Sequence, residues 1–382
     1  MRDFGFTEER GRYWPEAGGA LSFSPMKSSN PRSQGQLVAG FLAGSWRAKQ
    51  AALNILLSDL DRITTLLYNS GGTGLAWWRI RESDLKTSPS GELLHQGYRL
   101  QALQTPINEA RIATAFRLLR DAGIEPILVK GWAAARFYPH RTLRPYGDID
   151  LLVRPAEYAA ARAALTLDEA GAWWVDLHRE LSELDDRPIE ALFERSHTVA
   201  LNDLPVRVLS DEDHLAHLAV HLFKHSAWRP SWLCDIAAIV EALPSGFQGN
   251  ICFGSNKRRA AWIAAAIVLA EKLLGANVER IPLRGDARDL PEWLVDSVLK
   301  QWGNLFRLDH LPVQPRPLFA RAMRSPRIMW KEMRERWPDP IVATYNLRGQ
   351  PNNFPRLPYQ LGAFAVQTGQ YLFRMKRFAG GF

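Results

Sequence analysis

Cysteine is scarce in this chain: Cys234 and Cys252 are the only two among 382 residues, and they form no Cys-x-x-Cys pattern. That excludes a disulfide framework and a cysteine-built zinc site, and it fits a reducing compartment. Long apolar runs are missing too. The longest, Ala260–Ala270, is fenced by Arg258-Arg259 and Glu271-Lys272, well short of the roughly 20 residues that span a bilayer. The opening stretch, MRDFGFTEERGRYW, lacks the apolar centre of a secretory signal, so a cytoplasmic protein is expected. No segment repeats at a period that would mark a solenoid or propeller.

What the chain does have is an ordinary globular balance, 46% hydrophobic against 23% charged residues, enough to bury a sizeable core across two or three domains. The net charge of +8 is unevenly spread: residues 251–382 hold 21 Lys/Arg against 10 Asp/Glu, and the first 250 hold 27 against 30. The basic character therefore belongs to the C-terminal third. A basic region can attract nucleic acid or an anionic membrane surface, or simply keep a protein soluble.

One stretch carries chemistry. Leu128–Val153 reads LVKGWAAARFYPHRTLRPYGDIDLLV. An apolar strand running from Ile124 to Val129 stops at Lys130-Gly131, and Trp132–Phe137 suits the start of a helix. Pro145-Tyr146-Gly147 makes a turn, and the chain re-enters an extended run at Asp148. Side chains alternate along a strand, so Asp148 and Asp150 share one face, roughly 7 Å apart at about 3.3–3.4 Å per residue. Ile149 and Leu151 take the other face. Two carboxylates side by side repel, and a divalent cation removes that repulsion. Mg²⁺ takes one or two carboxylates together with phosphate oxygens. A nearby glycine lets backbone amides approach a triphosphate.

This constellation resembles the nucleotidyltransferase superfamily related to DNA polymerase beta. Within it the chain is similar to a bacterial branch known as the uncharacterised nucleotidyltransferase family, through Lys130-Gly131, Tyr138-Pro139 and Arg144-Pro145-Tyr-Gly-Asp148-Ile-Asp150. It departs from the wider pattern in having Trp132 where Ser or Gly is usual, and in a slightly long spacer before Asp148. The resemblance implies an α+β fold: a small mixed sheet with helices, flanked by helical N- and C-terminal regions. It also implies transfer of an NMP group from an NTP, ATP first among them, to an acceptor hydroxyl with the help of two Mg²⁺ ions. Asp148 and Asp150 would be metal ligands. Lys130, Gly131, Trp132 and Arg144 would meet the nucleotide. Asp176, in a strand Ala172–His178, would be the third carboxylate. The family also has a histidine-bearing helix followed by an acidic residue, which places His178, His221, His225 and Asp235 in a candidate acceptor pocket. The acceptor, whether small molecule, peptide or protein, is not readable. Two other readings stand beside this one: a nucleotide-binding regulator without turnover, and a basic adaptor for nucleic acid or membrane surfaces.

The remaining chain supplies helices and one hairpin. His197–Leu201 and Val206–Leu209 flank Asn202–Pro205 as a β-hairpin, and Ser210 caps a helix carrying His214, His217, His221 and His225. That helix is also rich in leucine and has no Glu after its first His, so a pocket or packing role is preferred to zinc. The expected division is a leader at 1–35, a helical region at 36–98, the nucleotidyltransferase core at 99–209, a helical domain at 210–311 and a basic helical extension at 312–382.

Overall fold

A computed structural model of the chain describes residues 30–166, 175–283, 285–304 and 337–379. Helix α1 (Pro31–Leu42) starts at Asn30, whose side chain accepts the Arg32 amide, with Pro31 at the first position, where its missing N–H removes no bond. Helices α2 (Leu57–Asn69), α3 (Thr73–Ile80) and the long α4 (Pro89–Asp121) follow. Strand β1 (Ile127–Leu128) leads into a single helical turn, α5 (Trp132–Ala135). Strand β2 (Ile149–Leu152), helix α6 (Tyr158–Thr166), strand β3 (Val175–His178) and helix α7 (Ile189–Arg195) come next. The hairpin is β4 (His197–Leu201) and β5 (Leu204–Val208). Its tight turn holds Asn202 at φ +51°, a conformation asparagine tolerates better than most residues. After it come α8 (Asp211–Lys224), α9 (Pro230–Ala242), α10 (Gly249–Phe253), α11 (Lys257–Leu274) and α12 (Glu292–Trp302). Two further helices span Pro340–Asn346 and Leu357–Ala379.

The five strands form one mixed sheet in the order β3-β2-β1-β5-β4. β1 is antiparallel to β2 and parallel to β5, β2 is parallel to β3, and β4–β5 is the antiparallel hairpin. This is the α+β architecture expected from the sequence. Alternation splits each strand between two cores. Leu128, Ile149, Leu151, Val206 and Val208 pack with α4 and α6 through Ile112, Phe116, Leu119 and Ala161. Ile127, Val129 and Leu152 face the other way, into a larger cluster with Leu215, Leu218 and Leu222 of α8. The sheet is a partition, and its second face looks onto α8.

Two expected boundaries move. Helix α4 runs unbroken across residue 99, because Ser88 caps it and Pro89 starts it well upstream. The leader expected to reach residue 35 gives way to helix at Pro31, and α1 packs so closely on α12 that a Cβ at Gly35 would collide with the Leu299 carbonyl. The helices before and after the sheet are also not separate bodies: Phe41, Leu60, Leu75, Ile236, Ile267 and Val298 belong to one buried cluster. The first part of the basic extension expected at 312–382, up to residue 336, lies outside the described residues. Among the described residues no helix is long and apolar enough to cross a membrane.

Candidate active site

The site is built where β1 ends and β2 begins. The Val129 amide donates to the Asp150 carbonyl at 3.0 Å, which delivers the next residue, Lys130, to the Asp150 side chain: Lys130 Nζ lies 2.9 Å from Asp150 Oδ1. Gly131 has φ +61°, a left-handed conformation that suits glycine. A Cβ there would lie 3.4 Å from Tyr146 Cβ and 3.5 Å from the Asp148 carbonyl oxygen, so the turn sits directly against the segment carrying the first carboxylate.

Parallel pairing of β2 with β3 puts Asp150 opposite Asp176 and Leu152 opposite His178. His178 reaches back diagonally: its Nε2 lies 3.0 Å from Asp150 Oδ1 and 3.3 Å from Asp176 Oδ2. One ligand atom each from Asp150, Asp176 and His178 falls within 4.8 Å of the others. Val175 and Leu177 pack on the opposite face, as period-two alternation requires.

The charges are unequal by position. Burial alone would raise the Asp150 carboxyl, but Lys130 and His178 outweigh it and hold it well below the ordinary carboxylate range. Burial likewise disfavours charge on His178, and Asp150, helped by Asp176, reverses this and raises its pKa. The exposed Asp148 moves up, through partial burial and then repulsion from Asp150 and Asp176, only partly offset by Lys130 and Arg229. The clustered oxygens of Asp150 and Asp176 and the imidazole of His178, with the Asp148 carboxylate acting on both aspartates, are a donor set that fits a divalent cation.

Arg144 and Asp235 occupy places other than those the resemblance implied. Arg144 is buried and forks onto Asp235, with Nη2 2.8 Å from Oδ2 and Nε 3.2 and 3.1 Å from the two oxygens. Tyr138 Oη donates to the same carboxylate at 2.7 Å. With both its carboxylate oxygens engaged and only 1% of its surface exposed, Asp235 ties the loop before Asp148 to α9 and does not line an acceptor pocket. Arg144 is the other half of that tie and is committed away from phosphate. Trp132 also turns inward: its indole N–H donates to Glu109 Oε1 at 3.2 Å, a carboxylate shared with Arg141 and Asn202. Only the backbone of Trp132 faces the turn.

On α8, His214 and His217 are fully buried, and both ring nitrogens of each lack a hydrogen-bond partner. His221 and His225 lie against one another with ring centroids 4.4 Å apart, and Trp232 of α9 stands edge-on to His221 at 4.8 Å. Among the described residues no group of three metal-binding side chains is brought together on this helix. Sequence reasoning missed Glu183, a buried residue on the short turn Ser182–Leu184 that accepts from Lys224 Nζ at 2.9 Å and faces His221. No spacing signal marks it. An open cleft of about 700 Å³ between α4, α5 and β4, lined by Glu109, Trp132, Arg136 and Arg141, does not include Asp148, Asp150 or Asp176. The chemistry is better placed on the carboxylates than in that larger space.

A small mixed sheet presenting carboxylates from two neighbouring strands, with a lysine-glycine turn against them, defines a nucleotidyltransferase-type core. A profile of the family described as uncharacterised nucleotidyltransferase matches residues 57–174 and 168–275, together more than half of the chain, and the protein belongs to that family of transferases. No curated protein and no solved structure matches it.

Proposed function

We propose that the protein transfers an NMP group from an NTP, with ATP the first probe, to an acceptor hydroxyl. Asp148, Asp150 and Asp176 would hold the divalent ions, two Mg²⁺ in the fullest form, with His178 orienting Asp150. When bound, the ions neutralise triphosphate charge and stabilise the attacking and leaving oxygens. Lys130, whose Nζ lies 2.9 Å from the Asp150 carboxylate that would hold the metal, would bring a positive charge to the triphosphate. The amides of the Gly131-Trp132 turn approach the phosphates because no side chain stands between. His178, His221 and His225 line the acceptor side.

The observation that carries this reading is the pairing of Asp150 with Asp176 across two parallel strands, with Asp148 raised by burial and then by repulsion from both. Incubation with Mg²⁺, cell extract and ATP labelled at the α-phosphate tests it. Labelled acceptor and released pyrophosphate are expected, both lost in Asp148→Asn. Label entering only from the γ-phosphate would contradict the proposal.

A further inference from the structure

We propose that His221, positioned by Glu183, takes the proton from the acceptor hydroxyl, which makes the acceptor an alcohol presented between the sheet and α8. This rests on the nucleotidyl-transfer reading above. The face of β2 that carries Asp148 and Asp150 also carries Leu152, and Leu152 shares its apolar cluster with Leu215, Leu218 and Leu222 of α8. The acidic residues and the histidine helix therefore lie on the same side of the sheet. The charges of Lys130 and Asp150 both act on His221.

The geometry of the imidazole is that of a held base. Its Nδ1 is enclosed and lies 3.9 Å from Glu183 Oε1, too far for a formed hydrogen bond. Such catalytic contacts are commonly loose before substrate binds and shorten in the complex. A carboxylate opposite Nδ1 selects the tautomer protonated there, leaving the Nε2 lone pair as the proton acceptor. Trp232 and His225 pack against the ring and limit its rotation. The surrounding charges keep the pair in its working state. Burial and Lys130 lower the His221 pKa and Glu183 only partly opposes them, so the ring is neutral at pH 7. Burial would raise Glu183, yet the imidazole of His221 facing it and the Lys224 ammonium at 2.9 Å hold it well below the ordinary range, so it stays ionised. The other titratable groups facing His221 are His217 and His225 on its own helix, with Lys130 and Asp150 opposite.

In the step itself the acceptor O–H bond breaks and its proton passes to Nε2. The freed oxygen pair forms the bond to the α-phosphorus, and the bond from that phosphorus to the bridging oxygen breaks. Pyrophosphate leaves with that electron pair, and the imidazolium returns its proton to solvent. Asp176 is then a metal ligand and not the base.

The test compares wild type, His221→Gln, Glu183→Gln and Glu183→Asp as full-length protein. Three quantities are read: Mg-ATP affinity by calorimetry, initial rate of α-label transfer against pH in extract, and the His221 tautomer by ¹⁵N NMR. Mg-ATP affinity should stay within about two-fold in all variants, because the pair serves the acceptor. His221→Gln should slow transfer about 10²-fold and erase the acid limb of the pH profile. Glu183→Gln should slow it about ten-fold, shift the acid limb to lower pH and lose the Nδ1–H tautomer, with Glu183→Asp restoring part of each. Wild-type transfer by His221→Gln with normal Mg-ATP binding would overturn the assignment of the base alone. Absence of Mg-ATP binding in the wild type would overturn it together with the reading beneath it. Where His221→Gln folds poorly, an acid limb unmoved in Glu183→Gln overturns the proposal.

Discussion

At the scale of single residues, the two central carboxylates differ in kind. A bare acidic pair on a strand gains from losing one charge, so by that logic Asp150→Asn would leave the melting temperature unchanged or raise it. Asp150 is instead nearly buried and is the shared partner of Lys130 and His178. Removing its charge strands a lysine in a poorly solvated place, and Asp150→Asn is predicted to lower stability by about 2–3 kcal/mol. Asp176 is half exposed, so Asp176→Asn should change stability by less than about 0.5 kcal/mol while reducing turnover roughly 10²-fold. Chemical denaturation of the two variants checks both figures; equal stability losses would show that the asymmetry of burial does not govern these positions. His214 gives the reverse case. Its ring nitrogens are buried without partners, and an apolar side chain of similar size relieves that. His214→Leu should therefore match or exceed wild-type stability at pH 7, and a clear loss would reveal a partner for that ring.

At the scale of elements, α8 makes the protein sensitive to acid. Burial keeps its histidines neutral in the folded state, with His217 lowered to about 3, whereas in the unfolded chain they protonate near 6.5. Below pH 6.5 the unfolded state binds more protons, so stability present above 6.5 is lost as pH falls toward 3. The slope is up to about 1.4 kcal/mol per pH unit for each such histidine. His178, whose pKa Asp150 raises, works the other way and softens the trend. Thermal melts from pH 7.5 to 4 should show this decline, shallower in His214→Leu; a flat profile would contradict it. The tie between the loop before Asp148 and α9 is the second element-scale device. Asp235→Ala leaves Arg144 buried without its carboxylate and should cost about 3–5 kcal/mol, while Tyr138→Phe should cost about 1 kcal/mol. A urea titration separates the two.

The same elements show what a sequence can and cannot display. The Asp-x-Asp strand, the hairpin expected from His197 to Leu209 and the Ser210 cap were legible because each follows a local period or capping rule. The pairing of Arg144 with Asp235 was not, since the partners lie 91 positions apart and a motif arginine next to a glycine turn reads equally well as a phosphate ligand. Glu183 was invisible for the same reason: its meaning comes from Lys224 and His221, which only the packing of α8 brings to it. The inward turn of Trp132 depends on Glu109 of α4, a contact no spacing rule links.

At the scale of the whole molecule, a division into successive regions gives way to one shared core around a partitioning sheet. Phe41 of α1 is buried in the same cluster as Ile236 of α9 and Val298 of α12. Phe41→Ala should therefore destabilise by about 3–5 kcal/mol and lower a single cooperative melting transition. Two transitions, with only one displaced, would show independent helical bodies. The shared core also explains how an N-terminal helix can influence the site: it supports α9 and α11, which carry the anchor of the Asp148 loop and back α8.

The central claim is that the carboxylates of β2 and β3 form a metal-dependent nucleotide site. Isothermal calorimetry of ATP binding with and without Mg²⁺ tests it most directly. Carboxylates facing a triphosphate repel it until a cation intervenes, so the account predicts weak binding in metal-free buffer and at least about ten-fold tighter binding with Mg²⁺, a gain absent in Asp148→Asn. Equal affinity in the two buffers would contradict it.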